Sequence, residues 1–503
     1  MTEIELKLLV SARELGRIFE LDPVKRRARG AREEKRLVSV YYDTPEGDLR
    51  AHRVALRLRQ EGTQWVQTLK GGGNASAGLH QRDEFEWQVP ARRLNLAVLA
   101  LTQYAELFAK RRLAGALRPV FTTRFSRIAQ PLQFDDGTTA ELCADSGTIR
   151  AGARREPVSE IEIELVSGNP QKLFELAHEL VDKMAFRLGY LSKAERGYAL
   201  FGGEVGRPHK TDQIVVEGVA PAPAALRQIA TVSLAHIQAN EAGFLSGWDP
   251  EFLHQMRVGL RRLRVALSMP NDPAWREVLE PLKAEMRWLS SVLGPARNWD
   301  VYLTEILPPL ARHFAGSRAL SAYRSRCLRL RRRYVAAARA VVFSPRYTSF
   351  LLGLGALLAR DSWPGIPALG TEEFAQAVIA RRDRKLRRRF GDLARAAPEE
   401  RHRARIAAKK LRYCAEFFAS LYAKRKVKRY IGALSALQDA LGAINDAQAG
   451  AHMTEQAAKG ARTRADPRIV GMVLGWMAAN DARAIAALGH VCEQFAKQKP
   501  FWD

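Results

Sequence analysis

Acidic and basic side chains recur at every second position along several short stretches of the chain, with apolar residues between them. Glu3, Glu5 and Lys7 alternate with Ile4, Leu6 and Leu8. Glu160, Glu162 and Glu164 alternate with Ile161, Ile163 and Leu165. Arg57 and Arg59 share a parity opposite Leu56 and Leu58, Lys70 shares one with Thr68, and Arg82 shares one with Glu84 and Glu86. On a strand, residues i and i+2 point the same way, so each stretch is ionic on one side and apolar on the other. The polar side of a single strand normally meets water. Strand after strand carrying both signs of charge on one face suggests instead that these faces close on one another. Carboxylates there could hold a divalent cation through hard oxygen ligands, and arginines and lysines could clamp phosphate oxygens. Together they suit metal-assisted attack on a phosphoanhydride. The chain has no glycine-rich phosphate loop of the P-loop kind, so side chains must hold the phosphates.

A second constellation is a histidine-led basic pattern that occurs twice. His254, Arg257, Arg261, Arg262 and Arg264 return, 148 residues later, as His402, Arg405, Lys409, Lys410 and Arg412. The register persists: Leu293-Gly294 returns as Leu441-Gly442. A shared register of this length marks a duplicated unit. At about 100° per residue, His254, Arg257, Arg261 and Arg264 fall within roughly 80° of one helix face. Phe252, Met256, Leu260, Leu263 and Leu267 occupy the neighbouring arc, a seam to bury. No acid lies between Arg257 and Arg264, or between Arg401 and Arg412. Like charges at this spacing repel, so the row calls for a polyanion.

The elements that position these groups divide the chain. Period-two stretches at 3–10, 54–59, 65–70, 84–89 and 160–166 read as strands. Turn signals stand between them, including Gly71-Gly72-Gly73-Asn74 and Asp135-Asp136-Gly137. Helices read at 12–20, 94–113 and 170–187. This is an α+β region with an antiparallel sheet or barrel. A linker is expected at 206–221. Beyond it, helices read near 223–245, 250–268, 274–292, 298–314, 317–342, 372–395, 398–420, 424–441 and 465–496, an all-α duplicated bundle. The Ser362–Pro367 loop separates its halves.

Charge follows the same division. Of 80 basic and 54 acidic residues, 32 and 28 lie in residues 1–206 and 48 and 26 in the remainder, a net of +4 against +22. The polyanion therefore belongs to the helical region. The basic helices carry few aromatics for stacking bases and few amides for reading their edges, which disfavours nucleic acid. The four cysteines are widely spaced and form neither a metal motif nor a disulfide framework. A reducing cytoplasm fits. The charged first strand reads as no signal peptide, and the longest apolar run, Phe350–Leu358, is too short for a transmembrane segment.

The first region resembles the CYTH domains, or triphosphate tunnel metalloenzymes. Glu3-Ile4-Glu5-Leu6-Lys7 matches their N-terminal signature. Tyr41-Tyr42-Asp43-Thr44, Leu56-Arg57-Leu58-Arg59, Thr68-Leu69-Lys70 and Arg82-x-Glu84-x-Glu86 follow in the family's order. So do Arg124, Asp145-Ser146-Gly147, Glu160–Leu165 and Ser192–Gly197. The histidine-led repeats resemble the CHAD domain, with Leu293–Val301 and Leu437–Asp446 as further matching segments; Asn298 stands where that family has Asp.

The resemblance implies a fold and a function. Residues 1–205 would form an antiparallel eight-stranded tunnel barrel with flanking helices. Residues 222–503 would form the helical domain, with repeats at about 222–360 and 370–500. The expected activity is cleavage of inorganic triphosphate to pyrophosphate and phosphate, with Mg²⁺ or Mn²⁺ as cofactor. The catalytic set would be Glu3, Glu5 and Lys7, and the metal ligands Glu3, Glu5, Glu162 and Glu164. Arg57, Arg59, Lys70, Arg82, Arg124 and Lys193 would contact phosphates. Glu84 and Asp145 would be supporting acids. The ten histidine, arginine and lysine positions of the two repeats would bind inorganic polyphosphate. Such a chain would sit in the cytoplasm or on polyphosphate granules. The alternative is a polyphosphate-binding or granule-associated protein with little catalysis.

Overall fold

The computed structural model describes residues 2–502 except 204–205, 212, 248, 315, 361, 367–368, 391–392 and 460–465. The chain forms two compact units, residues 1–207 with 342–360, and residues 208–341 with 361–503.

In the first unit, eight antiparallel strands close into a barrel. They are β1 (Thr2–Val10), β2 (Glu33–Asp43), β3 (Val54–Glu61), β4 (Gln64–Ser76), β5 (Leu79–Val89), β6 (Arg118–Gln133), β7 (Thr139–Ala151) and β8 (Arg154–Ser167). Their order is β5-β4-β3-β2-β6-β7-β8-β1, and β1 pairs again with β5 to close the ring. A short β9 (Phe186–Leu188) adds to β1. Alternation explains the barrel. Leu6, Leu8, Leu56, Leu58, Ile161 and Ile163 are buried on the outer side, so the ionic residues between them face inward.

Strands β2, β6 and β7 lie outside the predicted set. The Gly71–Asn74 stretch is not a turn but an irregularity within β4, where the pairing with β5 shifts register; Gly73 takes φ +90 there. The helix Lys193–Gly202 begins with a capping box between Ser192 and Glu195 and closes the barrel interior at one end. Its Ala194 and Tyr198 pack with Tyr41, Val120, Phe121, Ile149 and Val158. Gly197 is needed there, because a Cβ would lie 2.1 Å from the Phe121 ring.

The helix Gln171–Val181 buries Leu173, Phe174, Leu176, Ala177 and Leu180. A helix that the sequence reading missed, Pro345–Leu358, packs on it. Thr348 Oγ1 donates to Phe186 O at 3.2 Å, and Ser349 Oγ lies 3.4 Å from His178 Nδ1. The expected second domain therefore differs from the observed unit, because residues 342–360 fall with the barrel.

The second unit is helical. Its main helices are Ala222–Gln238, Pro250–Leu267, Pro273–Val301, Arg318–Val342, Thr371–Arg387, Pro398–Phe417, Lys424–Lys459 and Pro467–Ala496. The break expected between 292 and 298 is absent: one helix runs through Pro281 and Pro295 to Val301. It then passes into a π-helical turn, Tyr302–Ile306. Lys424–Lys459 likewise runs well past the expected end at 441. Trp299, Tyr302, Leu307, Leu320, Met453 and Val473 share a core cluster, inside which Tyr302 Oη lies 2.8 Å from both Tyr323 Oη and Thr454 Oγ1. Among the described residues, no single helix is long and apolar enough to cross a membrane.

The 345–358 helix supplies a test of the first unit. A Cβ on Gly355 would lie 2.3 Å from Phe174 and 2.6 Å from Ala77. Gly355→Val is expected to destabilise the barrel unit by about 1–3 kcal/mol through overpacking, read as a lower denaturation midpoint of that unit. An unchanged midpoint would mean that the helix does not pack there in solution.

Candidate functional site

Strand pairing brings the inward-facing charges of the barrel together in a fixed register. Lys7 on β1 lies opposite Glu162 on β8, and Glu5 lies opposite Glu164. Across the other edge of β1, Glu3 faces Arg82 and Glu5 faces His80. Asp145 on β7 faces Glu160 and also Arg127 on β6.

The deep part of the interior is an ion cluster. Asp145, Glu160 and Glu162 are buried, with carboxylate oxygens within 4.8 Å of one another. Four cations surround them. Lys7, 1% exposed, has Nζ 3.3 Å from Glu160 and in contact with Glu162. Lys193 Nζ lies 2.7, 2.5 and 2.9 Å from Asp145, Glu160 and Glu162. Arg127 donates twice to Asp145, at 2.8 and 2.7 Å, and once to Glu162. Arg196 reaches Glu160 at 2.8 Å.

Burial alone would push these groups toward neutrality. It is overruled: Lys7 is held well above the usual amine range against its burial by Glu160, Glu162 and Glu5. Glu162 is held well below the carboxylate range, against its burial, by Lys193, Lys7 and Arg127.

Nearer the other end of β1 the balance tips to acid. Glu164 is pushed up to about 7 by burial, then by Glu3, Glu5 and Glu162, with Lys70 opposing. Lys70 Nζ is 2.7 Å from Glu3 and 3.1 Å from Glu84. The wall formed by β3 tips to base. Arg57 bonds to the Tyr41 hydroxyl and makes longer contacts with Glu84 and Glu86, at 3.5 and 3.6 Å, and these neighbours raise its pKa against its burial; Arg59 reaches Glu61 at 3.0 Å. The Nε atoms of both arginines are buried without a partner among the described residues. Burial and the neighbouring Arg57 and Arg127 lower the Arg59 pKa.

Of the residues expected to meet phosphates, Arg57, Arg59, Lys70, Arg82 and Lys193 share this interior, and Arg124 does not. Arg124 is exposed, on the opposite parity of β6 from Arg127, so Arg127 takes the inward place. The close carboxylate trio also differs from the expected metal set and shares only Glu162 with it. Arg127, Arg196 and His80 were missed. The only available signal for Arg127 was its place two residues beyond Phe125 on a strand whose parity the sequence leaves ambiguous.

In the second unit the two basic helices, Pro250–Leu267 and Pro398–Phe417, lie in contact. The expected seam of Phe252, Met256, Leu260, Leu263 and Leu267 is buried. Beside it, His254 is held down to about 4 by burial and then by Arg297, with Arg261 and Arg257 adding to the effect and Glu251 opposing it. Arg257 is lowered to about 10 by burial, Arg261 and Arg297. Lys409 is lowered to about 7 by burial, Arg405 and Arg261, with Asp446 opposing. Arg261 Nε lies 3.3 Å from Tyr413 Oη of the other repeat. The Nε atoms of Arg257 and Arg405 are buried without a hydrogen-bond partner among the described residues, and Arg412 Nε pairs with Glu416 at 3.5 Å. The two rows therefore meet in one crowded cationic groove.

Four expected groove residues are placed otherwise, among them Arg264, which is exposed and reaches Ser290 Oγ at 3.4 Å. Arg262 is buried over the Phe417 ring at 4.7 Å and pairs with Glu416 at 3.0 Å. Lys410 is exposed on a flank near Arg382, Lys385 and Arg264. His402 is exposed.

The ion cluster predicts a stability cost. Lys7→Met removes one cation from three buried carboxylates and is expected to cost the first unit about 3–5 kcal/mol, measured by denaturant unfolding. A loss below about 1 kcal/mol would show the remaining cations to be sufficient.

Comparison with known proteins separates a barrel region from a helical one, and its helical match includes residues 342–360. Residues 1–198 match the CYTH domain and residues 228–455 the CHAD domain. Over 166 residues, 33% of this chain, the sequence is 34% identical to an inorganic triphosphatase of Haemophilus influenzae, and the match covers 46% of that protein. An uncharacterized protein of Mycobacterium tuberculosis is 27% identical over 421 residues, 76% of this chain and 75% of its own. The crystal structure of a CHAD domain from Ricinus communis superposes with a TM-score of 0.53 at 29% identity, covering 58% of this chain and 98% of that one.

Proposed function

For a chain that carries a CYTH domain followed by a CHAD domain, we propose metal-dependent hydrolysis of inorganic triphosphate in the barrel and binding of inorganic polyphosphate in the helical groove. The observation that carries the first part is the crowding of Arg57, Arg59 and Arg127 in a closed interior, with two buried Nε–H donors lacking acceptors. Such donors suit the oxygens of a condensed phosphate. Lys70 is the natural further contact, since it can pass from Glu3 and Glu84 to an entering phosphate.

The donor set also fits a divalent cation. The deep trio is already balanced by Lys7, Arg127, Lys193 and Arg196, whereas the raised Glu164 carboxyl marks uncompensated acid beside Glu3 and Glu5. Glu3, Glu5 and Glu164 would therefore hold Mg²⁺ or Mn²⁺, with Glu162 largely committed to lysine and arginine. A cation held there supplies charge neutralisation and a more acidic bound water. Lys193 and Arg82 would orient the phosphates, and Lys7 keeps the floor of the site neutral.

The test is phosphate release from tripolyphosphate, ATP, thiamine triphosphate and long-chain polyphosphate with each metal. Glu5→Gln is expected to reduce release from tripolyphosphate on the order of a hundredfold or more. No release from any substrate would leave the alternative, a polyphosphate-binding protein with little catalysis.

The groove makes a pH prediction. A polyanion favours the protonated form of Lys409, whose pKa near 7 is lowered in the free protein. Affinity for polyphosphate should therefore fall as pH rises through about 7, by up to about tenfold per pH unit for one linked proton. Lys409→Arg, which stays charged, should flatten the profile. Calorimetry at fixed salt checks both, and a flat wild-type profile would remove Lys409 from the site.

A further inference from the structure

One buried titratable group of the barrel has no part in the reading above. His80 is 1% exposed and lies on β5 opposite Glu5 of β1. Its ring makes two hydrogen bonds of fixed sense. Nε2 is 2.9 Å from Gly189 O, which can only accept, so Nε2 carries the proton. Nδ1 is then the bare nitrogen, and it lies 2.6 Å from Arg82 Nη2, which can only donate. A single neutral tautomer satisfies both partners, and a doubly protonated ring would turn a donor toward the guanidinium.

Each partner leads to a functional cation. Arg82 Nη2 also reaches Glu195 Oε2 at 3.2 Å, and Glu195 closes the capping box at the start of the helix that carries Lys193. Gly189 lies over Lys7: its N–H donates to Lys7 O at 2.9 Å, and a Cβ on it would lie 2.9 Å from the Lys7 side chain. His80 thus stands between the backbone over Lys7 and the guanidinium of Arg82.

We infer that His80 is a positioning residue, anchored on Gly189 O and holding the Arg82 guanidinium toward the triphosphate. This rests on the proposed triphosphatase reading. His80 donates to Gly189 and accepts from Arg82, and its role is to keep the phosphate-binding arginine in one place before substrate arrives.

The test is a mutant cycle on the full chain with tripolyphosphate. His80→Leu removes both hydrogen bonds and should raise KM about tenfold, the loss expected for a charged hydrogen bond, with kcat within about twofold. His80→Gln keeps one donor and one acceptor and should stay near wild type. In an Arg82→Ala background, His80→Leu should add nothing further. Equal impairment by Leu and Gln, or losses that multiply with Arg82→Ala, would overturn the inference. Should the wild-type chain release no phosphate, the triphosphatase reading fails by itself, and the same cycle read as Kd for tripolyphosphate still decides the role of His80. An independent measurement covers a His80→Leu chain that does not fold: ¹⁵N shifts of the wild-type imidazole at neutral pH should show the Nε2–H tautomer, and an Nδ1–H tautomer or imidazolium would overturn the assignment.

Discussion

Three carboxylates buried in one barrel interior must be neutralised, and much of the first unit follows from how that is done. Asp145, Glu160 and Glu162 come from adjacent strands, and their counter-charges come from elsewhere: Lys7 from β1, Arg127 from β6, Lys193 and Arg196 from the closing helix. The four cations therefore tie three other elements to β7 and β8. A buried charge without its partner is far costlier than a partnered one, so the barrel has little freedom to open at β1 or to shed the helix at its end. The capping box at Ser192 and Glu195 has the same effect on a smaller scale, since it fixes where Lys193 enters.

Away from that cluster the interior is deliberately uneven. Along β1 the charge passes from balanced at Lys7 to acid-rich at Glu5, Glu164 and Glu3, while β3 carries Arg57 and Arg59, whose Nε atoms have no acceptor among the described residues. Buried charges short of a partner favour a ligand of opposite sign. Acid on one side and base on the other is what a phosphate chain bound with a metal ion would bridge.

The parts legible in the sequence were those with a clean period. Alternation gave β1, β3 and β8 and their inward faces, and the 148-residue repeat gave the basic helices with their buried seam. The failures share a cause, a period that two readings fit equally well. On β6, Arg124 and Arg127 sit on opposite parities among mixed neighbours, so the inward arginine could not be told from the outward one. On the first basic helix, Arg262 is one position from Arg261, yet it turns into the aromatic packing of Phe417 while Arg261 faces the groove. Pro295 reads as a break, but the helix absorbs it. Pro345–Leu358 is apolar on nearly every side, so it carried no amphipathic signal, and its membership in the barrel unit is a tertiary fact with no local trace.

Buried charge is perturbed in two ways in these units. In the deep cluster attraction overrules burial: Lys7 is raised by Glu160, Glu162 and Glu5, and Glu162 is lowered by Lys193, Lys7 and Arg127. Elsewhere burial and like charge act together: Glu164 is raised in the barrel, and Lys409, Arg257 and His254 are lowered in the groove. The repeat shows the distinction by degree. Asp446 lies near Arg405 and Lys409 and partly relieves them, whereas the equivalent position in the first repeat, 148 residues earlier, is the uncharged Asn298. Arg297 beside it adds charge instead of removing it. The duplicated rows are therefore not two equal copies of one surface. They are a graded cationic track, least compensated around Arg257.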